Sequence, residues 1–269
     1  MVFIIAGGIL LLASIGLFVA ARHQQRRLQQ MALIETSTSD QIRELAESVT
    51  AEIGMGSFSE IVEVKGTIEC VNSLTSELSE TPCIYYSMKV TREYEETFWA
   101  ADGKGNQSQR TRRGSEVVSR NTRSTPFTVR DEKGVVNVDP EGASFIAEKV
   151  LSRFETGDRS RGSLTFGNFK TTLGAVTRTG GRRTIGYRFE ESAIPVGREI
   201  YVLGEAADSD GHLSIRKPAE TDTPFIVSLK SEEELARRAR RLTSGLRSGA
   251  WAGCAFGAAG VIVGIISSI

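Results

Sequence analysis

The residue pattern predicts an α+β, mainly β fold: an antiparallel barrel or sandwich domain between two transmembrane helices. Three observations predict it. Across residues 55–230, apolar and polar residues alternate at a period of two in one segment after another, with Gly and Pro turns at short intervals and no alternation of strands with helices. Both ends, residues 2–21 and 248–269, are uncharged, and each has about the 20 residues a helix needs to cross a bilayer. Basic and acidic residues balance at 33 each, so no net charge argues for nucleic acid, and three cysteines cannot form the basis of a disulfide scaffold.

Residues 1–21 are read as the first transmembrane helix. Nothing basic except the amino terminus precedes the apolar run, whereas Arg22, Arg26 and Arg27 follow it, the reverse of a secretory signal peptide. Residues 22–54 are read as a juxtamembrane helix. Thr38 and Gln41 have capping-box spacing, Ile42, Leu45, Ala46, Val49 and Ile53 form one apolar face, and Gly54 is placed to end the helix. Glu44, Glu47 and Glu52 on the remaining surface favour docking of that face on the domain over its lying on headgroups.

Residues 55–230 form the β-rich domain. Val62, Val64, Ile68 and Cys70 oppose Glu63, Lys65, Thr67 and Glu69, predicting a strand with one wet face; Ile84, Tyr86, Met88 and Val90 repeat the pattern. Residues 101–114, with Arg110, Arg112 and Arg113, read as a connection between strands, and no aromatic residue interleaves those arginines to stack on bases. Strands resume at 117–123, and 126–130 with 135–138 flank a hairpin turn ending at Gly134. Residues 142–154 read as irregular or a short helix, and 164–176 carry no clear pattern. Strands follow at 184–190, 199–205, 213–216 and 224–229.

Residues 231–247 predict a basic amphipathic helix capped by Ser231, with Glu232, Glu233 and Glu234 first and Arg237, Arg238, Arg240 and Arg241 later, the order a helix dipole favours. Residues 248–269 are the second predicted transmembrane helix. Gly249, Gly253 and Gly257, then Gly260 and Gly264, have the small-residue spacing that packs helices in lipid and predicts a homo-oligomer. Arg22, Arg26, Arg27, Arg237, Arg238, Arg240 and Arg241 flank the middle domain and place it at the membrane surface on the cytoplasmic side. The expectation is a multi-pass plasma-membrane protein with the lipid bilayer as one partner and a protein or peptide as another.

Catalytic chemistry finds little support. With His23 and His212 the only histidines, no metal site or cofactor is expected. Cys83, following Pro82 and falling on the face opposite Ile84 and Tyr86, is the one candidate nucleophile, with His212 the only base the domain offers it.

Several short stretches, taken in order, resemble the GIDE or MULAN family of membrane-embedded ubiquitin ligases, whose middle module is the beside-a-membrane domain. They are Val64-Lys65-Gly66-Thr67-Ile68, Pro82-Cys83-Ile84-Tyr85-Tyr86, Thr125-Pro126-Phe127, Ile194-Pro195-Val196-Gly197, Ile200-Tyr201-Val202-Leu203-Gly204, Leu213-Ser214-Ile215 and Pro224-Phe225. The resemblance implies a β-rich binding or sensing module for a protein, peptide or lipid. It also implies ubiquitin ligation, but that route needs a RING of about eight Cys and His ligands. Three cysteines and two histidines do not supply them, so the expectation is a member lacking the RING, as in a prokaryote. A Cys83-dependent membrane-proximal enzyme and a membrane-perturbing effector are the alternatives.

Overall fold

The computed structural model describes residues 36–101, 107–157, 162–173, 182–209, 211–220 and 223–231, with isolated helical residues at 9, 12–16, 19, 234, 237 and 244. One long helix, α1 (Ser39–Ile53), precedes fourteen strands among them. These are β1 (Ser59–Glu69), β2 (Leu74–Thr75), β3 (Pro82–Ala101), β4 (Gln107–Ser124), β5 (Phe127–Arg130), β6 (Val135–Val138) and β7 (Ser144–Ile146). There follow β8 (Glu148–Thr156), β9 (Gly162–Phe166), β10 (Phe169–Leu173), β11 (Arg182–Pro195), β12 (Glu199–Ser209), β13 (His212–Arg216) and β14 (Ile226–Ser228).

Five of these strands close a ring in the order β1-β5-β6-β13-β12, with β12 returning to β1 over Ser59–Thr67. The β6–β13 pair is parallel and the other pairs are antiparallel. Counted along the chain, the ring strands pair as 1-2-3-5-4-1, the strand order of an OB-type barrel, which leaves no sheet edge within the ring. Alternate residues point inward and fill it: Val62, Val64 and Ile68 from β1, Val129 from β5, Val136 and Val138 from β6, Val202 and Ala206 from β12 and Ile215 from β13 are all buried. β14 pairs the free stretch of β12 beside β13, and β7 lies parallel to β14.

The helix closes one side of this barrel. The capping box is formed, with Thr38 Oγ1 accepting from the Gln41 amide and Gln41 Oε1 from the Thr38 amide. Ile42, Ala46 and Val49 pack into the barrel core, while Leu45 and Ile53 are exposed, so the docked face is narrower than the apolar periodicity suggests. Asp131, in the β5–β6 turn, fastens the helix start. It accepts from the Ser39 amide at 2.6 Å and hydroxyl at 2.7 Å, and from the Lys133 and Gly134 amides at 2.8 Å each. Burial opposes ionisation of Asp131, but these four donors outweigh it and hold its carboxyl below the usual range.

Two long excursions from the ring, one between β1 and β5 and one between β6 and β12, build a second sheet in the order β8-β11-β3-β4, with β2 pairing the start of β3. The β9–β10 hairpin covers part of one face. Phe166 stacks on Phe189 at 4.5 Å, and Leu164 and Phe169 bury against Tyr86, Met88 and Val90. The second sheet meets the barrel where Tyr85 stacks on Phe145 at 3.9 Å.

Several expectations need correcting. Among the described residues no helix is long and apolar enough to cross a membrane. The longest, α1, has 15 residues, a rise of roughly 22 Å against a hydrocarbon layer of about 30 Å, and it carries charges on its outer face. This overturns the β domain between two transmembrane helices, and with it the two-span architecture, the lipid-bilayer partner and the multi-pass plasma-membrane placement. Gly249, Gly253, Gly257, Gly260 and Gly264 lie outside the described residues, as do Arg22, Arg26, Arg27, Arg238, Arg240 and Arg241; oligomerisation through the glycines therefore has no support. Arg237 is described as helical and exposed, and the Ser231 hydroxyl accepts from the Glu234 amide at 3.4 Å. Residues 142–154 contain strands β7 and β8, and 164–173 belong to the β9–β10 hairpin. Residues 101–114 are not mainly connection, because β4 already begins at Gln107.

Candidate functional site: an arginine-lined ribbon

Strands β3 and β4 pair from Tyr85–Ser124 out to Ala101–Gln107, making a ribbon that runs well past the barrel. On β3, residues of even number from Tyr86 to Phe98 share one face. Near the barrel that face is core: Tyr86, Met88 and Val90 are buried under the β9–β10 hairpin. Farther out, Arg92, Tyr94, Glu96 and Phe98 replace the apolar residues, and β4 and β11 set arginines around them. Arg92 is almost fully buried, donating to Thr184 Oγ1 at 2.9 Å and to Glu116 at 2.8 Å. The Tyr94 ring lies between the Arg92 and Arg182 guanidinium groups, at 5.5 and 4.9 Å, and across Gly114, where a Cβ would come within 2.7 Å of the ring. Glu96 bridges Arg112 at 2.6 Å and Arg182 at 2.8 Å, and Arg112 stacks over Phe98. Hydrogen bonds from Arg182 and Arg112 hold the Glu96 carboxyl below its usual range. On the opposite face Glu95 repeats the motif between Arg113 and Arg183, and Trp99 is 68% exposed.

This ladder explains why residues 107–114 are strand although Gln, Ser, Arg and Gly favour it little. Glu95 and Glu96 face Arg113 and Arg112, and Phe98 faces Arg110, each pair equidistant from the turn. The signal was present in the sequence as mirrored acid and base runs. It emerges only when the segments are read as a hairpin, which also sets aromatic residues opposite the arginines that appear unaccompanied along β4.

The outer edge of β4 pairs with nothing among the described residues. Residues 107–113 are all exposed, and the strand carries Arg110, Arg112, Arg113, Arg120 and Arg123 against the single acid Glu116. Arg112 and Arg113 are engaged by Glu96 and Glu95, while Arg110 and Arg120 make no ion pair among the described residues.

Cys83 lies elsewhere. A register shift at Ile194–Pro195 opposite Tyr85 and Cys83 turns the pleat, so Ile84 enters the barrel core and Cys83 the second core beside Tyr86 and Met88. Its thiol is fully buried and pushed up to about 11, by burial first and then by the nearby Glu191 charge. His212 is exposed at the β12–β13 turn of the barrel, so the two do not form a nucleophile and base pair. Among the described residues no group of His, Cys, Asp and Glu is arranged to hold a metal ion.

Four carboxylates that the sequence does not mark as buried are buried among the described residues, Glu63, Glu191, Glu205 and Asp208, the first two most completely. Glu63, placed on a wet face by alternation, is 1% exposed; it accepts from Thr36 at 2.6 Å and Tyr201 at 3.0 Å and pairs with Lys65 at 2.8 Å. Glu191 accepts from the Leu78 and Ser79 amides at 2.8 Å each and from the Ser79 hydroxyl at 2.6 Å, pinning the β2–β3 turn to β11. Both are satisfied within the fold. A groove of about 690 Å³ beside Lys65, Arg130 and Tyr201 is a weaker candidate, because Lys65 is engaged by Glu63 and Arg130 by both oxygens of Glu69.

A model of the GIDE family, described as E3 ubiquitin ligase, matches residues 95–264, more than half of the chain. The chain belongs to the GIDE family. Comparison with curated proteins and with solved structures finds no match. The GIDE match opens inside β3 and takes in all of β4, so the ribbon's outer part is within the matched module.

Proposed function

We propose that this GIDE-family domain is a binding module for a protein or peptide partner, and that the outer part of the β3–β4 ribbon is its contact surface. The observation that carries the reading is the combination on one projecting element of an exposed Trp99, a half-exposed Phe98 and an arginine-rich strand whose outer edge is open among the described residues. Aromatic residues and arginine are the types that dominate contact energies at protein interfaces. The ribbon also enlarges the connection between the first and second barrel strands, a connection that barrels of this strand order use to hold ligands; that point is analogy of fold. The family description enters as context: a module of this kind would recruit the partner on which ubiquitin-ligase machinery acts.

A photo-crosslinking residue at Trp99 in the full chain tests the reading in the native host, with the same residue at exposed Val135 on the barrel as comparison. Discrete protein adducts from position 99 and none from 135 are expected. No adduct from 99, or the same adducts from both, contradicts it.

A further inference from the structure

We infer that the open edge of β4 takes up an extended acidic segment of the partner as an added strand. This rests on the ribbon's being the contact surface and names the chemistry it recognises.

β4 is an 18-residue strand, roughly 60 Å of backbone, with β3 on one side and no strand on the other among the described residues. Every second residue on the open side therefore offers an amide and a carbonyl to a further strand, the geometry of strand addition. Five arginines against one glutamate choose the occupant. A second copy pairing through the same edge would set arginine against arginine, and like charges across a strand pair repel. Stacked bases are a poorer match. The Tyr94 and Phe98 rings already lie against this chain's own guanidinium groups, leaving Trp99 alone on the other face. An acidic strand meets both requirements: its backbone completes the edge, and its carboxylates reach Arg110 on one face of the sheet and, beyond the bulge at Val118, Arg120 on the other, neither of which makes an ion pair among the described residues.

The test uses the full chain and three fluorescent peptides of repeating Glu-Glu-Thr-Thr, which presents carboxylates on both faces of a strand, with identical charge. One is unmodified, one is N-methylated at every second amide and one at every amide. A strand presents alternate amides to alternate sides, so half-methylation leaves one edge able to pair and full methylation leaves none. Anisotropy titration is expected to show comparable binding of the first two and at least tenfold weaker binding of the third. Arg110→Glu with Arg120→Glu is expected to weaken the first by at least tenfold, with the fold retained, read as an unchanged circular-dichroism spectrum, because both side chains are exposed. Equal binding of all three peptides overturns strand addition. Absence of binding by the unmodified peptide overturns the acidic ligand while adducts from position 99 would leave the module reading intact.

Discussion

Gly66 shows how closely the barrel wall is drawn together. A Cβ at this position would stand 2.3 Å from the Arg130 carbonyl oxygen and 2.8 Å from its carbon, and backbone cannot rotate aside as a side chain can. Gly66→Ala is expected to destabilise the protein by about 1–3 kcal/mol through overpacking, seen as a lowered thermal midpoint; an unchanged midpoint would show that β1 and β5 are not this close. In sequence, Gly66 appears only within the Val64–Ile68 family stretch, and nothing there shows that β5 approaches it. Glu63 was illegible for a related reason: alternation assigns it to water, and only the approach of Thr36 and Tyr201 from distant parts of the chain buries and satisfies it. Cys83 misled because a bulge, which carries no periodic signature, exchanges the faces of neighbouring residues.

Elements were readable where a local rule decides them. The α1 cap and the alternation in β1 and β3 are set by residues within a few positions of one another, and apart from Glu63 and Cys83 they appear as the spacing says. Docking is different, since the barrel's curvature decides how much of the apolar helix face is covered. Ile42 is 2% exposed and Leu45 44%. Ile42→Ala should therefore lose about 2–4 kcal/mol in urea unfolding and Leu45→Ala no more than about 0.5 kcal/mol. Equal losses would mean that the helix presents another face. The first half of β4 and the β9–β10 hairpin lacked a local rule: the former depends on cross-strand pairs of acid and base, the latter on the second sheet it covers.

For the molecule as a whole, the carboxylates with displaced titration agree in direction. Glu190 is brought down to about 2 by hydrogen bonds from Lys149 and Lys89, against an ordinary 4.5, and Asp131, Glu205, Glu69 and Glu96 also lie below their ordinary values. The folded chain thus binds fewer protons than the unfolded chain in acid. Their contribution is fully present above about pH 5 and is lost as pH falls through 4.5 toward 2. Stability should accordingly be flat in this respect from pH 7 to 5 and decline below, with the Glu69 and Glu96 shares weakened by salt because both pairs are exposed. Stability that held or rose between pH 4.5 and 2.5 would contradict these pairings. The strand order of the ring was beyond sequence reading, because β1 meets β12 across more than a hundred residues and two inserted excursions, and nothing local records that partnership.

Hydrogen exchange of the full chain, with and without the unmodified Glu-Thr peptide, tests the ribbon's role most directly. Slowed exchange within residues 107–124, on amides that exchange freely in the unbound chain, is the predicted result. Slowing confined to the groove at residues 65–67, 130–133 and 199–201, or none anywhere, would contradict it.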